Sequence, residues 1–145
     1  MTLSYFDTSV LLAILLDEDK KEEAYGYWLN SIRVSSILLK IETVIGLRRV
    51  YETGKNHLGN DWLKKKEKIL NEYLNEVNYM IIDSTIEREI QLRKELSQCR
   101  SLDAIHMATA LRFKKIINNE KMFLYTFDKA MHSLAKCYNF STNNL

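Results

Sequence analysis

The sequence predicts an α/β fold with a parallel sheet covered by helices on both faces. Short apolar runs alternate with longer stretches at helical spacing, from Leu3 to Tyr138. No Asn-Gly or Gly-Gly signal joins one run to the next as a hairpin. Strands separated by helices in this way favour parallel pairing and a buried sheet. With 145 residues and 46% hydrophobic content, the chain suits one domain, residues 1–145, with one ordinary core.

Leu3 to Phe6 reads as the first strand, ending at Asp7. Ser9 to Leu16 follows as a helix, with Thr8 or Ser9 as its N-cap. Lys20 to Ile32 is a second helix with Ala24, Tyr27, Trp28 and Ile32 on one side, and Val34 to Ile37 a short strand. Leu38 to Thr53 repeats Ile41, Val44, Ile45 and Tyr51 at helical spacing. Gly54 and Gly59 flank Lys55-Asn56-His57-Leu58, the clearest loop in a chain without proline. Asp61 to Asn75 is helical and Tyr79 to Ile82 a strand. Ser84 to Gln98 is a helix whose Ser84 and Glu87 form a capping box. Leu102 to Asn118, the strand Met122 to Tyr125 and the helix Lys129 to Tyr138 complete the series.

A formal net charge of +2 gives no overall basicity, so any nucleic-acid surface must come from local clustering. The longest apolar run, Val10 to Leu16, is far shorter than the roughly 20 residues needed to cross a bilayer. No cationic segment precedes it, which argues against a secretory leader and for a cytoplasmic protein with no membrane partner. Cys99 and Cys137 read as two reduced thiols.

In open parallel sheets the functional crevice lies beyond the carboxyl ends of the strands. Asp7 directly follows the first strand, and Asp128 follows the last, after Thr126-Phe127. Asp103 stands in the first turn of its helix, where the helix dipole favours a negative charge. Glu42 lies four residues into another helix. Four carboxylates in one cleft repel each other and raise each other's pKa, a conflict that a divalent cation removes. Oxygen-only ligands suit magnesium or manganese, which activate water and stabilise charge on phosphate oxygens. Phosphodiester hydrolysis needs both effects. Taken singly, each acid is more commonly a cap or a solvated side chain, and spacing alone does not make the four converge.

Four blocks resemble the PIN-domain ribonucleases. Tyr5-Phe6-Asp7-Thr8-Ser9-Val10-Leu11-Leu12 looks like the family's opening, and Ile41-Glu42-Thr43-Val44-Ile45-Gly46-Leu47 resembles its second acidic block. Ser101-Leu102-Asp103-Ala104-Ile105-His106-Met107-Ala108 is very similar to the third, and Leu124-Tyr125-Thr126-Phe127-Asp128 to the fourth. The blocks keep the family's order over nearly the whole chain. The resemblance is strongest to VapC-type toxins of type II toxin–antitoxin pairs. It implies a three-layer α/β/α sandwich and magnesium-dependent RNA cleavage that leaves a 3′-hydroxyl and a 5′-phosphate. It also implies a homodimer and inhibition by a small antitoxin protein. Asp7, Glu42, Asp103 and Asp128 take the metal-ligand and catalytic roles by that resemblance, with Ser9 and Thr126 as supporting hydroxyls. A PIN nuclease outside any toxin pair and a non-catalytic RNA- or protein-binding module stay open as alternatives.

Other residues have plainer readings beside functional ones. His106, one turn from Asp103, is either a satisfied helix residue or a substrate contact. Arg49, two turns beyond Glu42, is either ion-paired or a clamp for an RNA phosphate. Lys64-Lys65-Lys66 and Lys114-Lys115 read as solvated faces, and Trp28 and Trp62 as core or interface. For an antitoxin segment the candidate walls are Leu11, Leu12, Leu15, Tyr27 and Trp28, with Ile41, Val44 and Ile45 opposite; the same residues also suit a core or a dimer interface.

Overall fold

A computed structural model describes residues 1–145. Strand β1 (Thr2–Phe6) is central. The chain builds outward on one side of it with β2 (Ser31–Ser36) and β3 (Asn78–Met80), then on the other with β4 (Phe123–Tyr125) and β5 (Ser141–Thr142). The sheet order is β3-β2-β1-β4-β5, and every pairing is parallel. Tyr5 pairs with Val34 on one side and Leu124 on the other. The direction of building reverses between β1 and β4, so the crevice for a ligand falls beyond Phe6 and Tyr125.

Neighbouring residues of β1 point to opposite faces, and both faces are buried. Phe6 joins Val10, Leu11, Leu15, Trp28, Leu39 and Leu70, packing helices α1 (Thr8–Leu15), α2 (Lys21–Leu29), α3 (Leu38–Leu58) and α4 (Trp62–Leu74) against one face. Tyr5 joins Met107, Leu111, Leu124, Met131 and Leu134 on the other, under α6 (Ser101–Ile116) and α7 (Lys129–Cys137). Helix α5 (Ser84–Leu92) packs on α6. The result is the three-layer α/β/α sandwich with a central parallel sheet. Phe6 and Trp28 are fully buried with ring centroids 4.9 Å apart, and each such side chain contributes about 1.5–3 kcal/mol by leaving water. No helix is long and apolar enough to cross a membrane.

Several boundaries differ from the sequence reading. Residues 55–58 are the last turn of α3, not a loop. Gly54 stays helical beneath Leu58, whose Cδ1 lies 3.1 Å from where a Cβ would sit. The chain breaks only at Gly59, where φ is +83°, a conformation that suits glycine. The second helix stops at Leu29, because Ser31 and Ile32 pair with Thr2 and Leu3 and sheet formation overrides helical spacing. Strand β2 therefore starts three residues before Val34. Strand β3 covers Asn78–Met80, leaving Ile81 and Ile82 outside it. The helix expected over 84–98 ends at Leu92, and a 3-10 turn takes over at Lys94–Gln98. Its cap is Asp83, which accepts from the amides of Thr85 and Ile86, rather than Ser84. Asp7, not Thr8 or Ser9, caps α1. Lys114 is buried, not solvated; it donates to the carbonyls of Tyr138 and Asn139 at the end of α7.

Candidate active site

The four acids reach the crevice by four routes. Asp7 is the first residue beyond β1 and Asp128 the N-cap of α7, so both sit at the carboxyl edge of the sheet. Glu42 lies near the start of α3, and Asp103 in the first turn of α6. All four line one cleft of about 450 Å³, with His106 between them and Arg49 and Arg100 on its walls.

Asp7 is the most deeply held, at 4% exposure. Ser9 Oγ donates to its Oδ1 and Thr126 Oγ1 to its Oδ2, both at 2.6 Å. The same two hydroxyls accept in turn: Ser9 Oγ from the Phe127 amide and Thr126 Oγ1 from the Asp128 amide, each at 3.0 Å. Two hydroxyls thus join the turn after β1 to the turn after β4. Asn143 locks the second turn. Its side-chain carbonyl accepts from the Thr126 amide at 3.0 Å, and its Nδ2 donates to the Thr126 carbonyl at 2.9 Å. Burial pushes the Asp7 carboxyl above the ordinary range, and the Ser9 and Thr126 hydrogen bonds pull it back only in part.

Glu42 is fixed from below. The buried Ser36 amide donates to Tyr5 Oη at 3.1 Å, and the same oxygen lies 2.7 Å from His106 Nδ1. A carboxylate only accepts, so His106 Nε2 donates to Glu42 Oε1 at 2.6 Å. Thr8 Oγ1 donates to the same oxygen at 2.7 Å. Burial works to raise the Glu42 pKa, but the His106 and Thr8 hydrogen bonds outweigh it and hold the carboxyl below its ordinary value. His106 orients a carboxylate here and, at 1% exposure, offers little surface to a substrate. Tyr5→Phe removes the partner of both the Ser36 amide and His106 Nδ1. We expect a loss of about 1–3 kcal/mol of stability, read from denaturant midpoints, as two buried groups go unpaired.

Asp103 behaves differently. Its pKa is raised by burial first, then by the charges of Asp128 and Glu42. No three carboxylate, histidine or cysteine side chains are grouped closely enough, as they stand, to hold a metal ion. The donor set nevertheless fits one in kind. Every carboxylate is a hard oxygen donor, burial raises Asp7 more than its hydrogen bonds and His106 lower it, and at Asp103 His106 and Arg100 offset burial and the charges of Asp128 and Glu42 only in part. Drawing the set around an ion requires the carboxylates to turn inward.

The remaining expectations divide. Arg49 faces the acids, and the seven lysine and arginine ion pairs of the protein leave it free. Arg100 shares that position and escaped the sequence reading, because it precedes its helix and belongs to no periodic face. Tyr5 and Asn143 escaped it too: one reads as a core aromatic, the other as part of a polar tail. Of the proposed antitoxin walls, Leu11, Leu15 and Trp28 are buried core, whereas Ile41 and Ile45 are exposed.

Comparison with known proteins adds the family. The model of the PIN domain matches residues 4–136. Comparison with curated proteins gives no match. Among solved structures, a chain of a toxin–antitoxin complex from Klebsiella pneumoniae is 21% identical over 86% of each chain, with a TM-score of 0.60. A chain of VapBC2 from Rickettsia felis, bound to a DNA fragment from its promoter, is 14% identical over 98% of each, with a TM-score of 0.64. At these identities the likeness speaks for the fold. The family match runs from β1 into α7 and takes in all four acids of the cleft. The chain belongs to the PIN domain family.

Proposed function

We propose that this chain is a metal-dependent endoribonuclease and the toxin of a type II toxin–antitoxin pair. The observation that carries the reading is the meeting of Asp7, Glu42, Asp103 and Asp128, far apart in sequence, in one cleft at the switch point of the sheet. These acids are the metal ligands of the proposal, with magnesium first and manganese second. When bound, the cation supplies an activated water and offsets charge on the phosphate. The protein's own residues do the rest. Ser9 and Thr126 fix both oxygens of Asp7. His106 and Thr8 fix one oxygen of Glu42 and leave the other for the ion or the water. Arg49 and Arg100 provide charge for the phosphate on the cleft walls. Water adds to phosphorus and the bond to O3′ breaks, leaving a 5′-phosphate and a 3′-hydroxyl.

The toxin assignment draws on the likeness to a chain of a toxin–antitoxin complex and to a chain of VapBC2. An uncontrolled ribonuclease harms its own cell, so a tight inhibitor belongs to the proposal. An antitoxin arginine pairing with the cleft acids blocks it directly. Exposed Ile41, Ile45 and Leu102 beside the acids suit such a partner or a second copy of the chain. We expect expression of the chain alone to arrest growth, and co-expression of the product of an adjacent small reading frame to relieve the arrest and co-purify. Purified protein should cut RNA with magnesium and stop on chelation. Cleavage without toxicity leaves a PIN nuclease outside a toxin pair; absence of both removes the catalytic reading.

A further inference from the structure

Next to the acid cleft lies a second hollow, of about 410 Å³, between α5, the 3-10 turn and the first turns of α6. Its lining is mainly apolar: Leu96 and Ala104 are buried, and Ile90 and Ile105 are half-exposed. The two hollows adjoin, because Ser101 lines both. Cys99, in the wall of the second, has its thiol pKa raised by burial and then by the charges of Asp103 and Asp128, so the acids stand close by. Lys94 at the rim and Arg49 and Arg100 in the cleft take part in none of the protein's ion pairs.

This juxtaposition has a chemical meaning. A single strand of RNA alternates anionic phosphates with flat bases that are apolar on their faces and polar at their edges. A site for it alternates free cations with apolar recesses edged by hydroxyls or amides. Here the cleft offers free arginines, and the adjoining recess offers an apolar lining with the hydroxyls of Ser97 and Ser101 at its edge. We propose that the hollow lined by Ile90, Leu96, Ala104 and Ile105 is a nucleobase subsite, holding one unstacked base of the strand whose phosphate lies in the acid cleft. The proposal rests on the nuclease reading of the cleft and adds that substrate choice at one base is made here. A recess without bulky aromatic walls selects on size and edge chemistry rather than on stacking strength.

The test uses Glu42→Gln protein, to prevent cleavage, with isotope-labelled Ile, Leu and Ala methyl groups. The probes are a uridine hexamer, an adenosine hexamer and the same ribose-phosphate backbone without bases. We expect the methyl signals of Ile90, Leu96, Ala104 and Ile105 to move with at least one hexamer and not with the abasic strand. Affinity should fall at least roughly 5-fold when the base is removed, the low end of what one base contributes, because no aromatic ring stacks on it here. Ser97→Trp, on the exposed rim, should weaken hexamer binding and leave abasic binding unchanged. If the hexamers bind with shifts confined to the cleft and match the abasic strand in affinity, the subsite is wrong and the nuclease reading stands. If no strand binds and wild-type protein cleaves no RNA, both fall. If the four methyl groups respond only to a protein inhibitor, the hollow is a protein-docking surface and the proposal is overturned.

Discussion

Asp7→Asn should lower magnesium-dependent RNA cleavage by roughly 10²–10³-fold or more, the usual loss when one group that stabilises transition-state charge is removed. The protein should stay folded, for a reason visible in the hydrogen bonds. An asparagine keeps one oxygen for Ser9 Oγ and the Val10 amide. Its amide nitrogen then faces Thr126 Oγ1, which has two lone pairs and already accepts from the Asp128 amide. The hydroxyl turns from donor to acceptor, and the turn after β4 keeps its place. The sign of the stability effect follows from the raised pKa of Asp7. A carboxyl raised in the folded state favours folding when protonated. That contribution is complete below the unfolded value and is lost as pH rises through the folded one. Above the folded value the ionised Asp7 therefore disfavours the fold, and the neutral asparagine relieves it. Metal-free Asp7→Asn protein should melt no lower than wild type at pH 7, with a flatter pH dependence in mild acid. Cleavage at the wild-type rate would remove Asp7 from the chemistry.

Thr126→Val should carry the second-largest effect. The valine matches threonine in shape but cannot donate to Asp7 Oδ2 or accept from the Asp128 amide. One buried carboxylate oxygen and one amide go unpaired, which costs about 1–3 kcal/mol. Two acids of the cleft also lose the hydroxyl that sets their separation, and removal of such an orienting partner typically lowers activity about 10–100-fold. Thr126→Ser restores the hydroxyl and should recover most of the rate. A valine variant that unfolds less readily but cleaves normally would show that Thr126 is a packing residue.

Much of this molecule was legible in its sequence, and the illegible parts share a cause. The alternation of strands and helices was readable where a strand is a short apolar run, as in β1 and β4; β5, Ser141–Thr142, has no apolar residue and gave no such signal. Asp7 and Asp128 were readable as candidates for the crevice because one follows its strand directly and the other comes two residues after its strand. The end of α2 was not, since Ile32 extends a helical pattern and only its pairing with Leu3 makes it a strand residue. Gly54 misled because a glycine under a leucine within a long helix looks like a loop signal. Within the cleft, the acids carry a residue type that announces chemistry. Tyr5, Arg100 and Asn143 act through positions that exist only after folding. Tyr5 meets His106 across 101 residues and Asn143 meets Thr126 across 17, and no local spacing encodes either contact.

The central claim is that the four carboxylates form one cation site, and thermal melting with and without magnesium tests it most directly. Repulsion from Asp128 and Glu42 holds the Asp103 pKa up after burial has raised it, so the metal-free protein should gain stability as pH falls toward the ordinary carboxylate range. A cation that binds the folded state alone contributes about 2.7 kcal/mol at a hundredfold excess over its Kd. For a domain of this length that is roughly 5–10 °C in Tm. The account predicts such a rise for wild type at pH 7, most of it lost in Asp103→Asn, with that variant at or above wild type when metal is absent. No shift with magnesium, together with a lower metal-free Tm for Asp103→Asn, would contradict it.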